Sequence, residues 1–176
     1  MQLPPNAAPA VRHPKALSPG TPLPAHYQHC FGCGTKHPTG LHLAVVAGDG
    51  VDVSAVFTVT DDHQGAPGLI HGGVLAAAFD EALGFIMWMV GQVAVTRRLE
   101  TDYLRPVPVG TELHIHAQCN GIAGRKVYVS AEGRNGAPDG EVVARASALF
   151  IAVGVEHFEQ NGSPGVSEGG QWRYNP

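Results

Sequence analysis

The chain carries little positive charge. Only 11 of its 176 residues are lysine or arginine, against 15 aspartate and glutamate residues, and the net charge is −4. Without a basic stripe interleaved with aromatic residues, this balance excludes the electrostatic footprint of a nucleic-acid-binding protein. Aromatic residues make up only 7% of the chain, yet the hydrophobic fraction of 44% is ample for a core. At this length we expect one compact domain with loose ends.

Cysteine is scarce as well, and its count is odd. The three cysteines are Cys30, Cys33 and Cys119, which rules out a complete intramolecular disulfide framework. The N-terminal stretch is broken by prolines and has no apolar core of signal-peptide length. Both features fit a reduced setting, so we predict a cytoplasmic protein.

Composition divides the chain into three parts. Residues 1–25 are rich in proline and are expected to form a disordered or loosely draped arm. Residues 26–155 hold the apolar patterns of a folded domain, and residues 156–176, rich in Gly, Ser and Asn, are expected to form a flexible tail.

The longest apolar segment covers residues 70–84 and continues to residue 90. It reads IHGGVLAAAFDEALG and predicts a helix that is hydrophobic all round, with Asp80 and Glu81 at its centre. Placing these acids in a bilayer would cost about 2.5 kcal/mol or more each, so we predict no membrane span. A buried carboxylate costs several kcal/mol unless it is paired or used in chemistry. These two acids are therefore the first candidates for a functional site.

The rest of the chain shows strand patterns on either side of this helix. Residues 41–47 and 51–59 precede it, and residues 93–106, 112–122, 126–134 and 141–153 follow, separated by glycine and proline turns. The order predicts an α+β fold, in which a curved antiparallel sheet of about six strands wraps around one long central helix. A helix without a polar face needs cover on more than one side, which favours a homodimer.

The helix opens with His71-Gly72-Gly73, where free N–H groups and the positive end of the helix dipole could polarise a carbonyl. An ordinary glycine-rich helix entry is the alternative. Asp80 lies nine residues beyond His71, roughly 13 Å along the axis and half a turn around. One carbonyl cannot touch both, so a shared site would need two antiparallel helices from two subunits. Otherwise Asp80 is a buried acid capped by hydroxyl groups or held in a salt bridge.

Cys30 and Cys33 have metal-ligand spacing, with His29 and His37 nearby. A structural zinc site needs four ligands, and no second paired motif is present. A redox disulfide lacks a thioredoxin-like context. We therefore predict no metal and no cofactor.

Three motifs together resemble the hot-dog fold thioesterases of the phenylacetate-type acyl-CoA thioesterase superfamily. They are CFGCG…HPTGLHL at residues 30–43, QGAPGLIHGGVLAAAFDEALG at residues 64–84 and TRRLETDYLRPVPVG at residues 96–110. The resemblance covers roughly residues 30–153. It implies a hot-dog fold and an acyl-CoA substrate.

The resemblance also implies roles for individual residues. Asp80 stands where the family has its catalytic carboxylate, which acts as general base or nucleophile. Gly72 stands where a backbone N–H polarises the thioester carbonyl, with His71 at the same end of the site. Thr96 stands where related enzymes hold the attacking water or the carboxylate.

The remaining matches are more peripheral. Gln64 matches members with Gln or Glu at that position, whereas other branches have Asn one position later, where this chain has Gly65. Candidate substrate-binding residues are Gly73, Glu81, Arg125 and Lys126, the last two as contacts for coenzyme A phosphates.

The expected function is therefore hydrolysis of an acyl-CoA thioester by a homodimer or a tetramer of dimers. One alternative is a hot-dog enoyl-CoA hydratase or dehydratase, but its helix pairs an Asp with a His five residues later, and here that residue is Phe85. The other alternative is a non-catalytic acyl-CoA binder, which would leave Asp80 unexplained.

Overall fold

The computed structural model describes residues 1–162, so the part of the predicted tail from residue 163 onward lies outside the described residues. Its main feature is one antiparallel sheet of six strands in the order β1-β2-β6-β7-β8-β5. The strands are β1 (Ala44–Ala47), β2 (Asp52–Thr58), β5 (Ala94–Tyr103), β6 (Glu112–Ala123), β7 (Lys126–Asn135) and β8 (Val142–Ala152).

A helical segment packs against this sheet. Helix α1 (Gly72–Gly84) is followed by α2 (Ile86–Val90), which ends at Gly91 in the left-handed conformation with φ of 65°. The side of α1 that meets the sheet is fully apolar and buried, and consists of Leu75, Ala78, Phe79, Ala82 and Leu83. The predicted α+β architecture, six strands and one long helix, is confirmed.

Two details differ from the predicted element pattern. No element was predicted between the strand at residues 51–59 and the helix, and residue 70 was expected to begin the helix. Instead β3 (Gln64–Ala66) and β4 (Leu69–Ile70) form a small hairpin, and the helix begins at Gly72. The hairpin turns at Gly68 with φ of 75°, a conformation that glycine adopts without steric cost. Strands this short have no periodicity that a sequence pattern could reveal.

Both ends of the described chain make contacts with the domain. The arm pairs Ala8 with Ile122 on β6 and Pro22 with Val46 on β1. Beyond β8, α3 (Glu156–Asn161) occupies the start of the segment that was expected to be tail. The division into arm, domain and tail at residues 25 and 155 stays a prediction.

The helical segment Gly72–Val90 is also the one described stretch that could cross a membrane by length and composition, with a mean hydropathy of 1.6. In the fold, 61% of it is buried against the rest of the protein. The core position accounts for its apolar character. The absence of a membrane partner remains a prediction.

Candidate active site

Asp80 and Thr96 meet at one edge of the fold. Asp80 projects from α1 and Thr96 from the edge strand β5, and the Thr96 hydroxyl donates a hydrogen bond of 2.9 Å to Asp80 Oδ1. Burial is the largest influence on Asp80 and raises its pKa above the ordinary value of 3.8. The Thr96 hydrogen bond opposes this rise, and the charge of Glu81 adds to it. The pair thus places a carboxylate of increased basicity beside a hydroxyl group.

A cavity of about 360 Å³ opens beside this pair, and we call it the Asp80 cavity. One part of its wall is polar and carries Asp80, Glu81, Thr96 and Cys30, and most of the rest is apolar. An apolar cavity with a few convergent polar groups is the usual form of a small-molecule site. The other lining residues are His26, Tyr27, Gly84, Met87, Val93, Ala94, Val95, Phe150 and Phe158.

The start of α1 forms a second concave region. His71 is the N-cap residue, and its Nδ1 accepts a hydrogen bond of 2.9 Å from the Gly73 N–H. The Gly72 N–H has no hydrogen-bond partner within residues 1–162, whereas the Gly72 carbonyl accepts one of 2.8 Å from the Tyr103 hydroxyl. The first helical N–H is therefore available to a ligand, as an oxyanion site requires.

This region is a cleft of about 350 Å³, the Gly72 cleft, lined by Leu69, Ile70, Gly72, Leu75, Tyr103, Leu104, Arg105, Pro106 and Val107. It shares no lining residue with the Asp80 cavity. The two features lie eight residues apart on one helix, or about 12 Å along its axis. A single chain thus presents two separate half-sites.

The other residues singled out by the sequence lie away from Asp80. Gln64 is exposed, and its side chain stabilises the surrounding loop. It donates hydrogen bonds to Asp61 and accepts one of 2.6 Å from the Gly68 N–H. Arg125 and Lys126 are exposed at the turn between β6 and β7, and neither lines the Asp80 cavity. Their roles as substrate contacts stay predictions.

Glu81 takes part in a hydrogen-bond network that the sequence did not reveal. His26 Nδ1 lies 3.4 Å from Glu81 Oε1, and Trp88 Nε1 donates to His26 Nε2 at 2.8 Å. Cys30 Sγ donates to Glu81 Oε2 at 3.6 Å. The spacing of Cys30 and Cys33 drew attention to the loop, but nothing in a linear pattern associates His26 with a helix 55 residues later.

An antiparallel six-stranded sheet packed against one long helix is the hot-dog fold of known thioesterase structures. The model of the thioesterase superfamily matches residues 67–144. The predicted resemblance is thereby confirmed.

Several similar proteins are named acyl-coenzyme A thioesterases. Acyl-coenzyme A thioesterase THEM4 of Bos taurus is 34% identical over 93 residues, which cover 53% of this chain and 38% of the bovine protein. THEM4 of Xenopus laevis is 36% identical over 91 residues, 51% of this chain and 40% of that protein. The chain therefore matches about two fifths of the length of these relatives.

Solved structures show the same fold. The thioesterase superfamily protein RHA08564 has a TM-score of 0.65 at 28% identity, covering 70% of this chain and 60% of its own. The PaaI protein of E. coli, from the phenylacetic acid degradation operon, has a TM-score of 0.59 at 24% identity, covering 65% of this chain and 81% of its own.

Proposed function

We propose that this protein is an acyl-CoA thioesterase that works as a homodimer, with each site built from the Asp80 cavity of one subunit and the Gly72 cleft of the other. The hydrogen-bonded pair of Asp80 and Thr96 is the observation that carries the proposal. A partly buried carboxylate with a raised pKa, beside a hydroxyl group and an apolar cavity, suits hydrolysis of an apolar acyl thioester.

In the proposed reaction, Asp80 takes a proton from a water molecule as the oxygen attacks the thioester carbonyl. Thr96 holds the carboxylate in position, and the partner's helix start, with Gly72, stabilises the negative charge that develops on the carbonyl oxygen. The carbon–sulfur bond then breaks, Asp80 returns its proton to the departing sulfur, and the free acid and coenzyme A leave. Attack by Asp80 itself would instead form an anhydride that water must hydrolyse.

The named relatives support the substrate class. The mammalian and amphibian relatives are named acyl-coenzyme A thioesterases. A hypothetical thioesterase of Streptococcus pneumoniae, with a TM-score of 0.55, was crystallised with coenzyme A. The same protein was crystallised as two alanine variants, of an aspartate and of a threonine sixteen positions later. Asp80 and Thr96 have that same spacing.

The single chain supplies a physical reason for the dimer. Strand β5, which carries Thr96, lies at the edge of the sheet and has no neighbour on its outer side within residues 1–162. The outer side of α1, including Val74 and Ala77, is only partly buried. An antiparallel partner helix would cover this apolar side and bring each Asp80 towards the other Gly72. A cytoplasmic location is part of the proposal and rests on the free thiols of Cys30, Cys33 and Cys119.

The hydratase alternative is disfavoured by the environment of Phe85. This residue stands where that reaction would require a histidine, and it is buried in the core with 1% of its surface exposed. The non-catalytic alternative predicts binding without turnover, so activity decides between it and hydrolysis.

The test measures release of free coenzyme A thiol from short, medium, long and aromatic acyl-CoAs. We expect hydrolysis by the wild type and a rate about 10² to 10⁴ times lower for Asp80→Asn. Asp102→Asn, an exposed residue on the same strand as Thr96, is the matched control and should keep full activity. Binding of every acyl-CoA without turnover by the folded wild-type protein would contradict the proposal.

A further inference from the structure

A second group of reactive side chains lies against the Asp80 cavity and has no part in the proposed hydrolysis. We call Cys30, Cys33 and Glu81 the Cys-Glu cluster. Cys30 Sγ lies 3.6 Å from Glu81 Oε2, and the ligand atoms of Cys33, Glu81 and His26 lie within 4.8 Å of one another. His26 adjoins it, with Nδ1 3.8 Å from Cys33 Sγ. Two thiols and a carboxylate are three side chains of the kinds that bind metal ions.

The loop that carries the cysteines is shaped for this cluster. The Gly34 N–H donates to the Cys30 carbonyl at 2.9 Å. A Cβ at Gly34 would lie 2.5 Å from backbone atoms, and one at Gly32 would overlap the Glu81 carboxylate. The two glycines therefore let the cysteine loop pack directly against Glu81.

The negative charge of Glu81 is not paired with a lysine or arginine in the described part of the chain. The Glu81 side chain is only 16% exposed. A largely buried carboxylate that lies beside two thiols and has no lysine or arginine partner favours a positively charged ligand.

The hydrogen bond from Trp88 determines the tautomer of His26. An indole N–H can only donate, so the Trp88 hydrogen bond requires His26 Nε2 to accept and places the imidazole proton on Nδ1. That proton points at Glu81 Oε1 and leaves Oε2 on the side of Cys30. A histidine that orients a ligating carboxylate in this way belongs to the outer shell of a metal site.

We infer that Cys30, Cys33 and Glu81 bind a thiolate-preferring divalent cation of the Zn²⁺ type, with His26 orienting the carboxylate. Metal–sulfur and metal–oxygen bonds of about 2.3 and 2.1 Å in a tetrahedral site place the donor atoms roughly 3.5 Å apart. The observed separation of 3.6 Å fits this spacing. Two sulfur ligands select Zn²⁺ over Mg²⁺ or Ca²⁺.

The open side of the three ligands faces the Asp80 cavity, because Cys30 and Glu81 both line it. Zinc sites with three protein ligands leave a position for water or a ligand. The inference departs from the expectation of no metal, which considered His29 and His37 as partners of the cysteines. In the fold Glu81 takes the place of those histidines.

Cobalt(II) is the probe, because its spectrum reports thiolate ligation directly. The full-length protein is reduced, stripped with a chelator and titrated with Co²⁺. We expect a thiolate-to-cobalt charge-transfer band and tetrahedral visible bands that saturate at one Co²⁺ per chain, and their loss when Zn²⁺ is added. Absence of a charge-transfer band in the folded, reduced protein would overturn the inference.

Variants separate the cluster from other thiols. Cys33→Ser and Glu81→Gln should each weaken Co²⁺ binding by tenfold or more, and Cys33→Ser should also weaken the charge-transfer band. His26→Ala should bind about 10 to 100 times more weakly while keeping that band. Cys119→Ser is the control, since the Cys119 thiol donates to the backbone carbonyls of Gly121 and Tyr128 and is not part of the Cys-Glu cluster. A spectrum that is the same in folded Cys33→Ser and Glu81→Gln as in the wild type would contradict the site.

The metal site and the proposed hydrolysis can fail independently. Asp80 is not a ligand, so Asp80→Asn should bind Co²⁺ as the wild type does, even where hydrolysis is lost. A protein that binds Co²⁺ but hydrolyses no acyl-CoA would support the metal site and contradict the thioesterase proposal.

Discussion

The hydrogen bond from Thr96 to Asp80 limits how far burial raises the pKa of the carboxylate. Burial raises the pKa of Asp80 and the Thr96 hydroxyl lowers it, so the observed direction is the balance of the two, with Glu81 adding to the rise. A general base must be ionised, so the proposed activity should fall as pH drops through this raised pKa. The acidic limit of kcat/KM is thus expected above 3.8, the ordinary value for aspartate.

Replacing Thr96 by alanine should move that limit. Because the hydrogen bond favours the charged carboxylate, its loss in Thr96→Ala raises the pKa of Asp80 further and shifts the acidic limb of kcat/KM to higher pH. A pH profile of thiol release measures the shift. Thr101→Ala, on the same strand without a hydrogen bond to Asp80, is the control. A limb that stays in place, or moves to lower pH, would contradict the assignment of Asp80 as the base.

At the residue scale, important side chains can be identified from the sequence more easily than the contacts that those side chains make. The mid-helix position of Asp80 marks it as a costly buried acid, and resemblance associates Thr96 with it. The contacts of Glu81 with His26 and Cys30 depend on how the N-terminal loop folds over α1, which no periodic pattern describes.

Among the elements, α1 and β7 pack closely together. Phe79 is fully buried, and its ring lies over Gly133 of β7. A Cβ at Gly133 would be 2.9 Å from Phe79 Cζ, closer than carbon atoms pack. The glycine lets the helix approach the strand, and so fixes the height of α1, with Asp80, above the sheet.

Gly133→Ala should therefore destabilise the fold by about 1 to 3 kcal/mol, because the ring has to shift in a closely packed core. Equilibrium urea unfolding measures the change. Gly84→Ala is the matched control, since its Cβ would meet Phe150 at an ordinary 3.9 Å and alanine favours the helix. We expect Gly84→Ala to be neutral or stabilising. Equal stability of Gly133→Ala and the wild type would show that the helix does not depend on this contact.

The strength of the periodic signal decided which elements could be predicted. The long helix and all six sheet strands were predicted because each combines an apolar pattern with flanking turn residues. The hairpin of β3 and β4 was missed because its strands have three and two residues. Helix α3 was missed because it has only six residues, none of them buried, and so no apolar pattern.

On the scale of the whole molecule, Arg12 fastens the arm to the domain. Its guanidinium donates to the carbonyl oxygens of Gly48 and Gly50, at 2.7 and 2.5 Å, and to that of Leu17. The first two belong to the turn between β1 and β2. The Arg12 side chain thus bonds both to another residue of the arm, Leu17, and to the edge of the sheet.

Arg12→Ala should loosen the arm without unfolding the domain. Each hydrogen bond to a charged group contributes about 1.5 kcal/mol, so loss of the Arg12 hydrogen bonds should speed amide exchange in the residues they hold by roughly tenfold or more. Hydrogen–deuterium exchange of residues 1–22 measures this, with Arg97→Ala, an exposed arginine on β5, as the control. Unchanged exchange of the arm would show that its other contacts, such as the pairing of Ala8 with Ile122, are sufficient.

The assembly of each site from two chains is the central claim, since Asp80 and Gly72 of one chain line separate cavities. The most direct measurement mixes two inactive variants, Asp80→Asn and Gly72→Val, and lets their subunits exchange. A mixed dimer then holds one site with both native residues, so random exchange should restore about a quarter of wild-type thioesterase activity. If mixing restores nothing although mixed dimers form, Asp80 and Gly72 do not serve one site across the interface.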